Sequence, residues 1–287
     1  MIEVTGLFIY PVKGLRGIAL EQAELTPQGL AYDRHWMIVM PNGRMVTQRQ
    51  KPQLATLRTE LTGHSLIISV AEQQLLPSSL QPSLTVPLQN SGLESTPVTV
   101  WRDQFTALDE GAGASDWLTT VLDSNYPLRL VRMADNITRP QSKPDLLGAQ
   151  TSTRFADAAP FLVTNEDSLA DLNRNLEMSQ LGGVPMERFR PNITIKGLAP
   201  YGEYCRDSLV ETSGRYSIGL CYPSERCVVI NTDQHTGAVD KEGQQPLNTL
   251  KQMNTAPGYN GAFFGQNAML QQGARQVIRI GDILNLT

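Results

Sequence analysis

Cysteine is scarce in this chain: among 287 residues there are three, Cys205, Cys221 and Cys227, and none in the first two hundred positions. An odd number clustered late excludes a disulfide framework and suits a reducing compartment. Long hydrophobic runs are missing too, since nothing approaches the roughly 18 apolar residues of a membrane-spanning helix. The N-terminus, M-I-E-V-T-G-L-F-I-Y, lacks the basic and apolar regions of a signal peptide and the Arg/Ser-rich character of a transit peptide. A cytoplasmic protein with no membrane contact is therefore expected. Cationic runs are absent as well: the net charge is −4 and Lys and Arg are scattered, which leaves no electrostatic footprint for nucleic acid. Any anionic ligand must be gripped by individually placed Arg and Lys. The chain also lacks G-x-G-x-x-G, G-x-x-x-x-G-K-[ST], an internal repeat and an alternating βα series, which excludes a Rossmann-like sheet.

Short apolar runs between turn residues are what the chain does have, and they imply a mainly β protein with a few helices, built as barrels or sandwiches. Its length allows two domains, divided here as 1–125 and 126–287. Strands are expected over 2–10, 23–26, 33–40, 54–61, 65–70, 83–87, 96–100 and 127–133. Asn42-Gly43 marks a hairpin from which 45–47 returns. The Gln-, Ser- and Pro-rich stretch 71–93 reads as surface hairpin loops. A helix is expected over 113–122 with Ser115 as its N-cap, and another from an Asn165 cap to Met178, burying Leu169, Leu172 and Leu176. Between them, 134–154 carries Pro140, Pro144 and a Ser/Thr cluster, and reads as a long mobile loop. Further strands are expected at 161–163, 193–195, 263–266 and 278–284, with a short helix starting at Pro246.

The chemistry concentrates at C-Y-P-S-E-R-C-V-V-I-N-T-D-Q-H-T-G, residues 221–237. Cys227 stands at the mouth of a β-branched run, beside Arg226, where a nearby cation favours the thiolate that binds a soft metal or attacks an electrophile. The bland reading makes it a small apolar residue opening a buried strand. Lys13 follows a proline-broken strand end, either as a solvated loop lysine or as a presented cation. Arg34 begins an apolar strand, either as an edge charge or as a group aimed at an anion. Arg190 precedes Pro191, which implies an extended backbone delivering the guanidinium on a stiff lead-in. Asp233 and His235 are near Cys227, but D-Q-H-T-G is also a good turn. A zinc staple of Cys205, Cys221, Cys227 and His235 has the spacing of no compact zinc knuckle.

Eight segments occur together and in order: Y-P-V-K-G (10–14), D-R-H-W (33–36), V-T-Q-R-Q (46–50), D-A-A-P-F-L (157–162), S-L-A-D-L-N (168–173), F-R-P-N (189–192), R-C-(x5)-D-(x2)-T-G (226–237) and F-G-Q (264–266). With them the chain resembles the MOSC-domain proteins, in particular the branch with an N-terminal MOSC β-barrel domain to which the amidoxime-reducing enzymes belong. The resemblance implies an N-terminal MOSC β-barrel-like domain, a C-terminal MOSC β-barrel domain, and binding of the molybdenum cofactor (molybdopterin). It also implies that Cys227 ligates molybdenum and is the catalytic thiolate, that Lys13, Arg34 and Arg190 hold the pterin and its phosphate, and that Asp157 belongs to the cofactor pocket. The activity implied is reduction of N-hydroxylated small-molecule substrates, with an external electron donor such as a ferredoxin or flavoprotein reductase. The alternative it leaves open is a sulfur-carrier or cofactor-delivery protein using a Cys227 persulfide. Gly14, Ala158, Ala159 and Arg206 depart from the pattern of those relatives.

Overall fold

A computed structural model of the chain describes residues 1–70, 80–141 and 143–287. Seven strands close into a barrel in the order Ile193–Lys196, Phe161–Asn165, Phe263–Gln272, Ser217–Glu225, Ser208–Glu211, Ile283–Leu286, Ile2–Ile9, and back to Ile193–Lys196. The pair formed by Phe161–Asn165 and Ile193–Lys196 is parallel and the other barrel pairs are antiparallel. Closure removes free edges from the ladder. Inside sit Val4, Leu7, Val163, Ile193, Ile195, Ile218 and Ala268, the inward positions of period-two strands. The first strand of the chain is thus part of a barrel whose other six strands follow residue 160.

A second sheet runs Ser95–Val100, Asp103–Asp109, Arg129–Arg132, Trp36–Val39, Val12–Lys13. Trp36–Val39 is buried on both faces, with Trp36 and Ile38 in one apolar cluster and Met37 and Val39 in another. Its partner Val12–Lys13 pairs parallel to it, Lys13 opposite Met37, so Lys13 is set at a sheet edge by a backbone ladder. Leu57–Leu61, Ser65–Val70 and Ser83–Pro87 form a separate antiparallel meander. The α-helical segments among the described residues are Ala112–Val121, Pro144–Leu147, Glu166–Met178 and Leu247–Met253. No helix among them is long and apolar enough to cross a membrane.

Several local expectations change. Pro52–Thr56 is a 3-10 turn, so the strand expected from 54 begins at Leu57; proline at the first helical position has no N–H to lose there. Ser115 lies inside the helix Ala112–Val121, whose N-cap is Gly111 at φ +93°, a conformation glycine adopts without strain. The segment 134–154 is not one long loop: among its described residues Arg139–Pro140 pairs with Ser152–Thr153, and Arg139, Leu147 and Thr153 are buried. Its prolines sit at a two-residue strand and at a helix start, where neither breaks a ladder. The expected loops at 71–93 fall partly outside the described residues; within the described part, Ser83–Pro87 is the strand expected there. Asp103–Asp109 is an additional strand, hidden in the sequence by charges at both ends.

Candidate functional site

The strand Ser217–Glu225 loses register against Phe263–Gln272 at Pro223 and ends at Glu225, opposite Phe263. Arg226 turns the chain, its N–H donating to Ala262 O at 2.7 Å, and Cys227 caps a 3-10 turn, Val228–Asn231. The β-branched run after the thiol is therefore a turn and not the buried strand of the bland reading: the i to i+3 bonds to Cys227 O and Val229 O replace a ladder. Cys227 is half-buried and unbridged, on the wall of a cavity of about 300 Å³. That size falls at the lower end of ligand pockets, which run from roughly 300 to 1,000 Å³.

The wall also carries Lys13, Arg34, Asp157 and Arg190, so the five residues singled out in the sequence meet in one place. Lys13 is buried and donates to Phe155 O at 2.8 Å and to Asp157 Oδ1 at 2.5 Å. Burial lowers its pKa, opposed by the charge of Asp157. Asp157 accepts a second bond on the same oxygen, from Trp101 Nε1 at 2.7 Å. Its low seat in the cleft pushes its carboxyl up, but Lys13, the Trp101 hydrogen bond and Arg34 outweigh this and hold it at about 2. It is therefore ionised, with Oδ2 left over.

Arg34 sits at φ +47°, its own N–H on Tyr10 O, its carbonyl on Phe155 N–H and its Nη1 on the buried Asp33 at 2.5 Å. The strand expected from 33 therefore begins at Trp36. Arg190 is not extended: it adopts φ +56°, ψ +49°, closing the 3-10 turn Met186–Phe189. Pro191 disfavours only the right-handed helical region at 190, so the left-handed one remains open to it. Its Nη1 donates to Gln234 Oε1 at 3.0 Å, and burial pushes the guanidinium down to about 10. Gln234 in turn exchanges amide bonds of 3.1 Å with Gln48, tying residues from the two halves of the chain together.

Sequence reasoning gave several lining residues no ligand-binding role. Arg226 donates to Ser224 and to Phe189 O, yet its Nε is buried without a partner among the described residues. Trp101, 46% exposed at φ +54°, lies under the Arg49 guanidinium at 4.9 Å. Glu225 also reaches the wall. A lone tryptophan in a two-residue turn, between V-T-V and R-D, was the signal available for the second of these. Asp233 accepts from His235 N–H, Thr236 N–H and the Thr236 hydroxyl, so D-Q-H-T-G is a side-chain-closed turn. Among the described residues no three His, Cys, Asp or Glu side chains converge as a metal-binding group.

Charge and donor chemistry define what fits. Lys13, Arg34, Arg49, Arg190 and Arg226 face the cavity against Asp157 and Glu225, an excess of cation that calls for an anionic ligand. With no partner for its Nε among the described residues, Arg226 keeps spare donor capacity beside the cavity. A thiol on the same wall suits a soft, sulfur-coordinated metal. A pterin dithiolene with a phosphate tail fits this donor set.

A closed barrel joined to a second β unit, with a thiol and several cations on a shared cavity, defines a two-part β protein with a cationic, thiol-bearing cleft. The family profiles agree with that class: the MOSC N-terminal β-barrel domain matches residues 1–125 and the MOSC domain residues 150–285. The chain belongs to the MOSC-domain family. It is 31% identical over 278 residues to mitochondrial amidoxime-reducing component 1 of Homo sapiens, across 94% of this chain and 77% of that protein. To mitochondrial amidoxime reducing component 2 of Homo sapiens it is 32% identical over 255 residues, across 86% of this chain and 71% of that protein. To human molybdenum cofactor sulfurase it is 28% identical over 265 residues, across 87% of this chain but 28% of that protein.

Proposed function

We propose that this protein binds the molybdenum cofactor in the cavity and reduces N-hydroxylated small molecules there, drawing electrons from a separate redox protein in the cytoplasm. The observation that carries the reading is the convergence of Cys227 with Lys13, Arg34, Arg190 and Arg226 on one wall. The amidoxime-reducing names of its relatives supply the reaction class. When bound, the cofactor would supply two-electron chemistry that converts an N–OH group, with two protons, to N–H and water.

Cys227 would hold the metal through its thiolate. Arg190, Arg34 and Arg226 would clamp phosphate and pterin oxygens, a task suited to forked guanidinium donors. Lys13 would hold Asp157 in place, and ionised Asp157 would accept N–H bonds from the pterin on Oδ2. Reduction of an aryl amidoxime by purified holoprotein with a chemical or enzymatic reductant tests the reading. Turnover that disappears in Cys227→Ala is expected, and a molybdenum-loaded protein inert toward amidoximes and hydroxylamines would contradict it.

The sulfurase relative and the free, half-buried thiol of Cys227 favour a second reading, in which Cys227 carries sulfane sulfur delivered by another protein. Persulfide on Cys227 in the isolated protein, without molybdenum, would select it.

A further inference from the structure

Tyr10 has no part in the cavity wall, yet two wall residues are built on it. Its ring is buried, 2% exposed, and its hydroxyl has no hydrogen-bond partner among the described residues. Whatever the residue contributes therefore comes from the ring. The guanidinium carbons of Arg34 and Arg190 each lie 4.2 Å from the ring centroid, the distance at which a ring face attracts a cation. Both arginines reach this ring from residues in left-handed backbone conformation, one in each half of the chain.

The ring cannot drift from either partner. Tyr10 N–H donates to Asp33 Oδ1 at 2.8 Å, and the other oxygen of that carboxylate holds Arg34 Nη1. Arg34 N–H donates to Tyr10 O at 2.9 Å, and Arg34 Nη2 donates to Arg190 O at 3.2 Å. At the ring edge, a Cβ on Gly17 would come within 2.5 Å of Tyr10 Cε1, so residue 17 leaves the ring its place only as glycine. Arg34 pairs directly with Asp33, whereas the direct partners of Arg190 are the neutral Gln234 and this ring, Asp33 and Asp157 acting on it without a direct ion pair. Two like charges brought to one wall repel, and burial already works against the charged form of Arg190.

We propose that Tyr10 is a positioning residue whose ring holds the Arg34 and Arg190 guanidiniums together at the cavity wall, set to grip a phosphate group. The inference rests on the reading that an anionic ligand enters this cavity. Its test changes the ring's electronics while keeping its shape: Tyr10→Phe, followed by 4-fluoro-, 3,5-difluoro- and 3,4,5-trifluorophenylalanine at position 10. Affinity of the apoprotein for inorganic pyrophosphate and pterin content of holoprotein from a cofactor-producing host are read for each, alongside melting temperature.

Tyr10→Phe should match wild type, because the hydroxyl has no hydrogen-bond partner among the described residues. Successive fluorines should weaken pyrophosphate binding stepwise, by about tenfold across the series, at nearly constant melting temperature. A flat series would overturn the proposal, as would wild-type apoprotein that does not bind pyrophosphate. A stepwise pyrophosphate series in a protein that never holds pterin would support the role of Tyr10 and remove the cofactor reading. Pterin present with a flat series would do the reverse.

Discussion

Replacing Lys13 with methionine should weaken the grip on anions while leaving the fold almost as stable. Methionine keeps the length of the side chain and drops the ammonium that donates to Phe155 O and Asp157 Oδ1. The ion pair does not benefit its two members equally. Burial takes Lys13 below the usual lysine pKa, and Asp157 restores only part of the loss. Such a lysine costs stability at every pH below its lowered folded pKa, a cost that fades as pH rises from there to the ordinary 10.5. Asp157, at about 2 against an ordinary 3.8, contributes stability that is present above 3.8 and lost as pH falls through about 2. With its side chain 61% exposed, solvent screens much of that contribution.

At pH 7 the variant sheds the lysine cost and forfeits the screened aspartate gain, and the aspartate left behind is an exposed rather than a buried unpaired charge, so the net change should stay within about 1 kcal/mol. For a chain of this size that is a Tm shift of roughly 2–4 °C. Pyrophosphate affinity should behave differently, because Lys13 lines the cavity with a third ammonium hydrogen to offer an anion there, and one charge-assisted contact is worth about 1.5–3 kcal/mol, or roughly 10- to 150-fold. Thermal unfolding and calorimetric titration of wild type and Lys13→Met at pH 7 decide it. A Tm loss beyond roughly 10 °C, or unchanged pyrophosphate affinity, would refute the reasoning.

Other outcomes follow from the same geometry. Glu203 is fully buried with Ser168 donating to both its oxygens, and burial raises its carboxyl to about 7, against hydrogen bonds that lower it. Its contribution is therefore full below 4.5 and lost as pH rises through about 7, up to about 3 kcal/mol, and Glu203→Gln should flatten that decline in urea midpoints measured across pH. Trp101→Phe removes the N–H on Asp157 and should raise that carboxyl's pKa in a carbon-13 titration. It should also abolish most acrylamide-quenchable fluorescence, because Trp36 and Trp117 are 0% and 4% exposed. Asn165→Ala loses the cap to Asp167 N–H and the bonds from Nδ2 to Leu198 O and Ala199 O, and should cost about 2–3 kcal/mol in chemical unfolding.

Alternation of apolar and polar residues makes the β character plain from the sequence alone: Ile2–Ile9, Ser65–Val70 and Ser83–Pro87 follow their apolar patterns closely. The Asn165 cap and the buried Leu172 and Leu176 follow from helical spacing just as directly. Less of the site can be read that way. Lys13, Arg34, Asp157, Arg190 and Cys227 are legible through motifs that resemble a family, while their meeting in one cavity depends on barrel closure across more than two hundred residues. Backbone conformation is the weakest point. Arg34 and Arg190 both take positive φ, held by hydrogen bonds to distant residues that no local propensity contains. Tyr10 looks like the end of an apolar strand, because its partners arrive from positions 34 and 190. Trp101 stands just beyond a strand, and its role depends on Asp157, 56 residues away.

The most direct test of the central claim is the molybdenum and pterin content of wild type and Cys227→Ala, purified from a host that makes the cofactor. Near-stoichiometric molybdenum and pterin in the wild type, with molybdenum lost from the folded variant, is the expected result. A folded wild-type protein from that host with neither metal nor pterin would contradict it.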